Sequence, residues 1–302
     1  MKRILLALGL ACLFVVGFAN RVDDTVQIPF SFSAAAGWLN QNDGREFALK
    51  GTHTVNKFGS NGDVDTAEES VWDGDDIAGE GTGPGRCFTI LGTTAQAVYL
   101  SSDDENDASD NNAVSITVQY LDSTWATQTL VVPLGAALAS GTTSAQISSG
   151  TILRINRMFA TTTAPAGNVY ASTDTNSGSD GVPDDPATQM VAGITLGENQ
   201  TLQACYTTPL GFDALMSQFC IGNLSQAAAS QDVTFRLRKA VEGAAARTTE
   251  LLTLADAVQE CIVHDPPIMF AEKTDIELTA DAAGASQGTS GTFDLILVPN
   301  DS

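Results

Sequence analysis

Short runs of alternating apolar and polar residues, each closed by turn-forming residues, are the feature that most constrains this chain. In "AVSITVQYLD", Val114, Ile116 and Val118 alternate with polar residues. Such alternation indicates a strand with one buried and one exposed face. Five further short runs lie between residues 86 and 170, separated by Gly, Ser, Thr, Asp or Asn. Regular strands with short turns predict an antiparallel sandwich or barrel.

The same pattern resumes after a loop, which divides the chain. Residues 172–188 are rich in Ser, Asp, Gly and Pro, and Val182 is their only branched aliphatic residue. A stretch of this composition is typical of a long loop or a linker. We therefore predict an all-β chain of two sandwich-like, jelly-roll-like antiparallel domains, at 56–185 and 186–302, with an N-terminal arm at 21–55.

One later segment is ambiguous between two structures. Within residues 244–262, Leu251, Leu254, Val258 and Ile262 have helical spacing, whereas the Thr and β-branched content favours a hairpin. Both alternatives stay open at this point.

The first 20 residues resemble a secretion signal. Two basic residues precede an apolar run from Ile4 to Ala19, which ends in small residues suited to a signal peptidase. A run of about 16 residues is short for a membrane span. The sequence therefore predicts a signal-like leader at 1–20. The alternative is a start codon assigned too far upstream. No membrane contact is predicted for the mature chain.

The charge balance excludes a large class of partners. The chain has 14 Lys and Arg against 36 Asp and Glu, which gives a net charge of −22. A surface of this charge repels phosphate, so no nucleic acid is expected to bind. The acidic loops at 103–110 and 174–185 have oxygen ligands at alternate positions but not the EF-hand spacing. We predict exposed, mobile loops and no cofactor, with weak calcium binding there as the alternative.

The cysteines give little support for a metal site or a disulfide framework. Without the leader, Cys87, Cys205, Cys220 and Cys261 remain, and they form no C-x-x-C motif and lie far from either histidine. A zinc site is therefore unsupported. In a chain of this length they predict buried free thiols.

Candidate catalytic motifs fail in context. Ser286 lies in a G-x-S-x-G match, but the mechanism needs a strand-to-helix elbow and another strand pattern follows. The glycine-rich stretch at 79–86 lacks the Lys-Ser/Thr pair of a phosphate loop. His264 precedes Asp-Pro-Pro, which predicts a surface turn rather than a general base. No catalytic activity is predicted.

Four stretches carry a resemblance to a known family. They are "VNKFGSN" with the later "VWDG", "TILRINRMF", "GENQTLQACYTTPLG", and "FAEKTDIELTA" with "GTFDLILV". Together they are similar to a family of tailed-bacteriophage virion structural proteins, described as capsid-decorating, head-fibre or tail-associated. The resemblance implies a virion location, a homo-oligomer such as a trimer, and contacts with other virion proteins or with host surface glycans.

The resemblance also implies a role for two isolated aromatic residues. The segment 55–74 shows neither helix nor strand periodicity, yet it contains Phe58 and Trp72. In an assembly protein they would anchor a subunit contact by filling a pocket of a neighbour. Alternatively, they close the bottom of the first sandwich within one chain. Two other functions remain as alternatives for the whole protein. One is an exported carbohydrate- or surface-binding sandwich, which the signal-like leader supports, and the other is a secreted hydrolase, which only the G-x-S-x-G match supports.

Overall fold

The chain folds almost entirely into antiparallel β-structure, which confirms the predicted all-β class. The computed structural model describes residues 52–74, 77, 85–88, 91–138, 140–144, 146–173, 181–224, 232–255, 258–284 and 286–300. The predicted leader and most of the arm therefore lie outside the described residues. Within the described ranges, helices long and apolar enough to cross a membrane are absent.

The strands are numbered in chain order. The first eight are β1 (His53–Val64), β2 (Glu69–Ser70), β3 (Gln96–Ser102), β4 (Ser115–Leu121), β5 (Thr127–Pro133), β6 (Gln146–Ile152), β7 (Arg154–Ala160) and β8 (Val169–Ser172). The others are β9 (Met190–Ile194), β10 (Cys205–Thr207), β11 (Phe212–Asn223), β12 (Val233–Val241), β13 (Arg247–Leu254), β14 (Gln259–Phe270), β15 (Thr274–Ala282) and β16 (Gln287–Pro299). The helical elements are a 3-10 turn (Glu105–Asp107) and α1 (Pro186–Gln189).

Strands β3 to β9 form one sandwich, called sandwich 1. Its sheets have the strand orders β6-β3-β8-β9 and β5-β4-β7. Ile116 and Val118 of β4 are fully buried, as their alternation predicts, and they pack against Leu100 and Val169 of the facing sheet. The core is thus made from the inner faces of both sheets, which is how a sandwich buries its apolar residues.

The remaining strands form a second sandwich, called sandwich 2. Its sheets have the orders β1-β16-β11-β14 and β10-β15-β12-β13, and β2 pairs with β15. The core contains Phe219 and Phe293 from the first sheet and Phe235 and Leu278 from the second. Strands β13 and β14 are the edges of their sheets, and they follow each other in the chain.

The strand pairing crosses both predicted domain boundaries. β1 pairs with β16 from His53↔Leu297 to Val64↔Gln287, so residues placed by prediction in the first domain belong to the sheet of the chain's last strand. Conversely, β9 lies beyond residue 186 but pairs with β8 in sandwich 1. Antiparallel pairing does not require neighbours in the chain, and a sequence pattern contains no information about it.

Strand β1 also corrects the view of 55–74 as a segment without periodicity. Its buried positions alternate correctly, at Lys57, Gly59 and Asn61, but none of these residues is a typical apolar strand residue. Gly59 is needed there because a Cβ atom would lie 2.1 Å from the Val71 carbonyl oxygen and 2.4 Å from the Ala204 nitrogen. The ambiguous segment after residue 244 forms β13 and the start of β14, so its residues are extended and the helix alternative is wrong. The hairpin alternative is wrong as well, because β13 pairs with β12 in one sheet and β14 pairs with β11 in the other.

Two disulfides replace the predicted free thiols. Cys87 is bonded to Cys205, 118 residues further along the chain. Cys220 is bonded to Cys261 across the neighbouring strands β11 and β14. The prediction of free thiols was wrong because the spacing of cysteines says nothing about which strands the fold brings together.

Candidate functional site

A polar cleft lies where sandwich 1 meets sandwich 2. It has a volume of about 520 Å³, within the size range of small-molecule sites. Strand β1 and residues 206–212 form one wall, and strands β4, β5 and β7 form the other. The lining residues are His53, Thr54, Val55, Asn56, Lys57, Gln119, Tyr120, Thr127, Thr129, Asn156, Arg157, Tyr206, Pro209, Phe212 and Leu297.

The most unusual of these residues is Lys57. Its side chain lies on the inner side of β1 and is buried, and its Nζ donates a hydrogen bond of 2.5 Å to the backbone oxygen of Asn156 in β7. An ammonium group has three donors, and ion pairs between Lys57 and a carboxylate are absent from the described residues. Burial, reinforced by the positive charge of Arg157, lowers the pKa of Lys57 to about 7.

Asn156 fixes the junction at the base of the cleft. Its side-chain Nδ2 donates to the Thr207 carbonyl oxygen at 3.2 Å, and its Oδ1 accepts from the Thr207 backbone nitrogen at 3.0 Å. The amide thus pairs with β10 as a backbone strand would, and it holds β7 against β10. Lys57, which donates to the backbone of the same residue, is positioned by this junction.

The second cation of the cleft is exposed. Arg157 lies on β7 next to Asn156, and its guanidinium is 5.1 Å from the centre of the Phe159 ring. One of its Nη atoms donates to the side-chain oxygen of Gln200. The cleft therefore has two cations and no Asp or Glu among its lining residues, although the chain has 36 acids.

Aromatic side chains form much of the remaining wall. Tyr120 and Tyr206 are almost completely buried, and burial raises the pKa of both phenols, that of Tyr120 also through the charge of Asp122. At the rim, the rings of His53 and Phe212 lie 5.9 Å apart. Rings and hydroxyl groups together give a surface that is partly apolar and partly polar.

A smaller pocket adjoins the cleft and contains one of the predicted contact residues. It has a volume of about 260 Å³ and shares Asn56, Lys57 and Arg157 with the cleft. Phe58 lines it and is half-buried. Its role as an anchor for a neighbouring subunit stays a prediction.

Trp72, the other predicted contact residue, is not at the surface. Its side chain is 1% exposed and packs with Ile77, Tyr170 and Met190. A backbone bridge to Gln203 holds its segment in place. This is the placement expected if Trp72 helps to close the first sandwich within one chain.

The structure places the candidate catalytic residues far from a nucleophilic arrangement. Ser286 is exposed and immediately precedes strand β16, so the strand-to-helix elbow of serine hydrolases does not form. His264 lies in β14 and not in a surface turn, which corrects that prediction. Its ring stacks on Phe219 at 5.7 Å, and its Nε2 is buried without a hydrogen-bond partner.

Hydrogen bonds to its carboxylates hold the first acidic loop in place, whereas its charge density predicts an exposed and mobile loop. Asp107 is buried, and it accepts hydrogen bonds from the Ser102 hydroxyl and from the backbone nitrogens of Ala166 and Gly167. Asp103 accepts from Asn168 and from the Tyr170 hydroxyl. The prediction of an exposed loop is wrong for Asp107. Residues 174–180 of the second loop lie outside the described residues, and calcium binding stays an untested alternative.

One group of potential metal ligands is explained by a disulfide. The sulfurs of Cys87 and Cys205 and a carboxylate oxygen of Glu277 lie within 4.8 Å of one another. The two sulfurs are bonded to each other, so they are not thiolate ligands. The carboxylate of Glu277 accepts hydrogen bonds from Arg86 and Ser70.

A second surface feature is the apolar edge of sandwich 2. Five of the nine large apolar residues that are exposed in the described part of the chain lie on or beside β13 and β14; they are Leu224, Leu251, Val258, Val263 and Met269. Leu251, Val263 and Met269 are 60%, 56% and 61% exposed. Exposed apolar side chains mark a contact surface where they form one contiguous patch.

Sequence reasoning identified neither the cleft nor the edge. Lys57 and Arg157 are far apart in the chain, and only the contact between β1 and β7 brings them together. A signal in the sequence that could have drawn attention to Lys57 is the small number of basic residues around it, since Arg86 is the single basic residue between Lys57 and Arg154.

No family model and no curated protein matches the chain. Among solved structures, the chain is similar to the "Structure of infectious bursal disease virus Gx strain". The two share 8% sequence identity over 83% of this chain and 77% of that chain, with a TM-score of 0.19. The "Crystal structure of infectious bursal disease virus VP2 subviral particle" has 10% identity over 89% and 81%, with a TM-score of 0.18.

Proposed function

We propose that the chain is a structural component of a virus particle, more narrowly of a bacteriophage virion. It makes contacts with copies of itself, in a homo-oligomer such as a trimer, and with other capsid or tail proteins, and it catalyses no reaction. The observation that carries the proposal is the apolar edge of sandwich 2. The resemblance of its sequence motifs to virion structural proteins supports the narrower assignment.

The edge is suited to contact through side chains. Exposed edge strands can recruit further strands, and proteins limit this with proline and bulges. Strand β14 contains Pro266 and Pro267, and its register against β11 shifts between Met216 and Gln218. Extension of the sheet past this point is thereby hindered, whereas Val263 and Met269 still present apolar surface on either side of the irregularity. A second copy that covers these side chains removes them from water.

Sedimentation velocity of the full chain tests this proposal. We expect the wild-type protein to sediment as an oligomer and the Val263→Asp variant to dissociate, because the variant places a charge in the contact. Val131→Asp is the matched control, since Val131 is also 56% exposed but lies on β5 of sandwich 1. A wild-type protein that stays monomeric at high concentration, or equal behaviour of both variants, would contradict the proposal.

The disulfides favour a second candidate function, that of an exported protein that binds carbohydrates or cell surfaces. Disulfides persist in oxidising compartments and are rare in the cytosol. Two of them form here, at Cys87–Cys205 and Cys220–Cys261. N-terminal sequencing of the protein from its natural source distinguishes the candidates, since cleavage after Ala19 supports export and an intact or later start supports assembly without export.

A further inference from the structure

We propose that the cleft between the sandwiches binds a sugar-sized anion that carries a carboxylate, with Lys57 and Arg157 as the residues that bind the charge. The inference goes beyond subunit contact and does not depend on it. It provides the second candidate function with a site and a ligand class.

The first reason is the uncompensated charge of Lys57. A buried ammonium is costly unless it is paired or hydrogen-bonded. Within the described residues, Lys57 has one hydrogen-bond acceptor, the backbone oxygen of Asn156, and its neighbour Arg157 repels it. An anion between the two cations compensates the ammonium and relieves this repulsion.

The second reason is the contrast with five of the seven other Lys and Arg residues that the structure describes. Arg86, Arg154, Arg236, Arg238 and Lys273 each form an ion pair with a carboxylate of the chain. The cleft's two cations instead lie among lining residues that include no acid. In an acidic chain, an acid-free surface with two cations is the place where an anion meets the least repulsion.

The third reason is the geometry that Arg157 offers. A guanidinium binds a carboxylate through two parallel hydrogen bonds. Arg157 has five N–H donors, and the structure records one of its nitrogens in a hydrogen bond, to Gln200. Its exposed side chain therefore has donors available at the mouth of the cleft.

The rest of the lining indicates a sugar rather than a simple ion. Amide and hydroxyl groups that both donate and accept line the cleft, at Asn56, Gln119, Thr54, Thr127 and Thr129. Sugar hydroxyl groups need partners of this kind. The half-buried ring of Phe212 at the rim offers apolar surface for the C–H face of a pyranose. The volume of about 520 Å³ exceeds the needs of a small inorganic anion.

A pair of probes that differ in one group tests the inference. Isothermal titration calorimetry of the full chain would compare methyl β-glucuronide with methyl β-glucoside, which has a hydroxymethyl group in place of the carboxylate. Sodium acetate serves as the probe for charge alone. We expect saturable binding of the glucuronide and binding of the glucoside and of acetate that is weaker by about tenfold or more.

Variants with matched controls locate the site. Arg157→Gln and Lys57→Met should each weaken glucuronide binding by about tenfold or more. Arg247→Gln and Lys239→Met remove the same charges outside the cleft and should leave the affinity unchanged. Arg157 is exposed, so its variant keeps the test decisive even if Lys57→Met does not fold.

Each contrary result has a distinct meaning. Absence of saturable glucuronide binding, or equal affinity in wild type and Arg157→Gln, overturns the inference. Equal affinity for glucoside and glucuronide overturns the role of the charge but leaves a carbohydrate-binding protein. Equal affinity for acetate and glucuronide overturns the sugar class. None of these results bears on the sedimentation behaviour that tests subunit contact.

Discussion

Arg154 and Asp275 form a buried ion pair that joins the two sandwiches through two parallel hydrogen bonds. Nε of Arg154 donates to Oδ1 of Asp275, and Nη2 donates to Oδ2, each at 2.9 Å. The Thr207 hydroxyl donates to the same carboxylate at 2.6 Å. The guanidinium also lies 5.5 Å from the ring centres of Phe88 and Trp125. β7 of sandwich 1 and β15 of sandwich 2 are thus connected by charge, hydrogen bonds and aromatic contact.

Removal of Asp275 should be strongly destabilising. In Asp275→Ala the guanidinium stays buried without its counter-charge, which typically costs about 3–5 kcal/mol. The Lys273–Glu242 pair is more exposed, and Lys273→Met should cost less than about 1 kcal/mol. Urea unfolding of both variants measures the difference. Equal losses in the two would show that the Arg154–Asp275 pair contributes no more than a surface pair.

Truncation of Trp72 should lower the stability of a single chain and leave its association unchanged. The side chain is 1% exposed among Ile77, Tyr170 and Met190, and loss of a buried Trp typically costs about 3–5 kcal/mol. Phe58→Ala is the comparison, and its half-buried ring should cost less. Thermal melts and sedimentation on both variants check this. A Trp72→Ala protein that melts normally but dissociates would support the subunit-contact interpretation instead.

The sequence predicts a strand well where apolar residues mark the buried face. Val233, Phe235 and Leu237 of β12 alternate in the sequence and are all buried in the structure. It fails at β1, where the buried face is made by residues such as Lys57 and Gly59. Lys57 contacts a backbone oxygen of the other sandwich, and Gly59 lies where two other backbone segments approach closely. Both contacts involve residues outside the strand, so the local sequence pattern does not reveal them.

The cleft could not be predicted for a related reason. It depends on the junction that Asn156 makes with Thr207, and an asparagine in a strand has no distinctive spacing. The disulfides pose the same difficulty, since four cysteines allow three pairings. The pairing follows from the strand order, which local pattern does not determine.

The two disulfides should differ in accessibility and in their contribution to stability. Cys205 is fully buried, whereas Cys261 is exposed on edge strand β14. Mild reduction without denaturant should therefore open Cys220–Cys261 first. Alkylation followed by mass spectrometry identifies the thiols that appear. Early labelling of Cys87 and Cys205 would contradict the prediction.

Loop size predicts the order of the stability effects. Chain-entropy arguments give about 5 kcal/mol for a bond that closes 118 residues and about 4 kcal/mol for one that closes 41. Paired Cys→Ala substitutions at each bond, compared by urea unfolding, measure both contributions. A protein without Cys87–Cys205 that is as stable as wild type would show that the bond is not structural.

The pH dependence of stability should reveal Lys57. Its pKa falls from 10.5 in the unfolded chain to about 7 in the folded protein, because of burial and the charge of Arg157. Between these values the unfolded state binds more protons than the folded state, so the free energy of unfolding rises with pH from about 7 towards 10.5. Two other groups that line the cleft have shifted pKa values, and burial raises the pKa of both Tyr120 and Tyr206 above the ordinary phenol range.

Comparison with a single variant isolates the contribution of Lys57. Lys57→Met keeps most of the side chain's volume and removes the titration, while the surrounding groups stay the same. The free energy of unfolding of wild type minus that of Lys57→Met should become more positive as the pH rises from 6.5 to 9, because the folded wild type no longer holds a buried charge. Urea unfolding at several pH values in this range measures it, and Lys239→Met provides the control. A difference that stays constant with pH would show that the ammonium titrates as in water, with its charge already compensated in the fold.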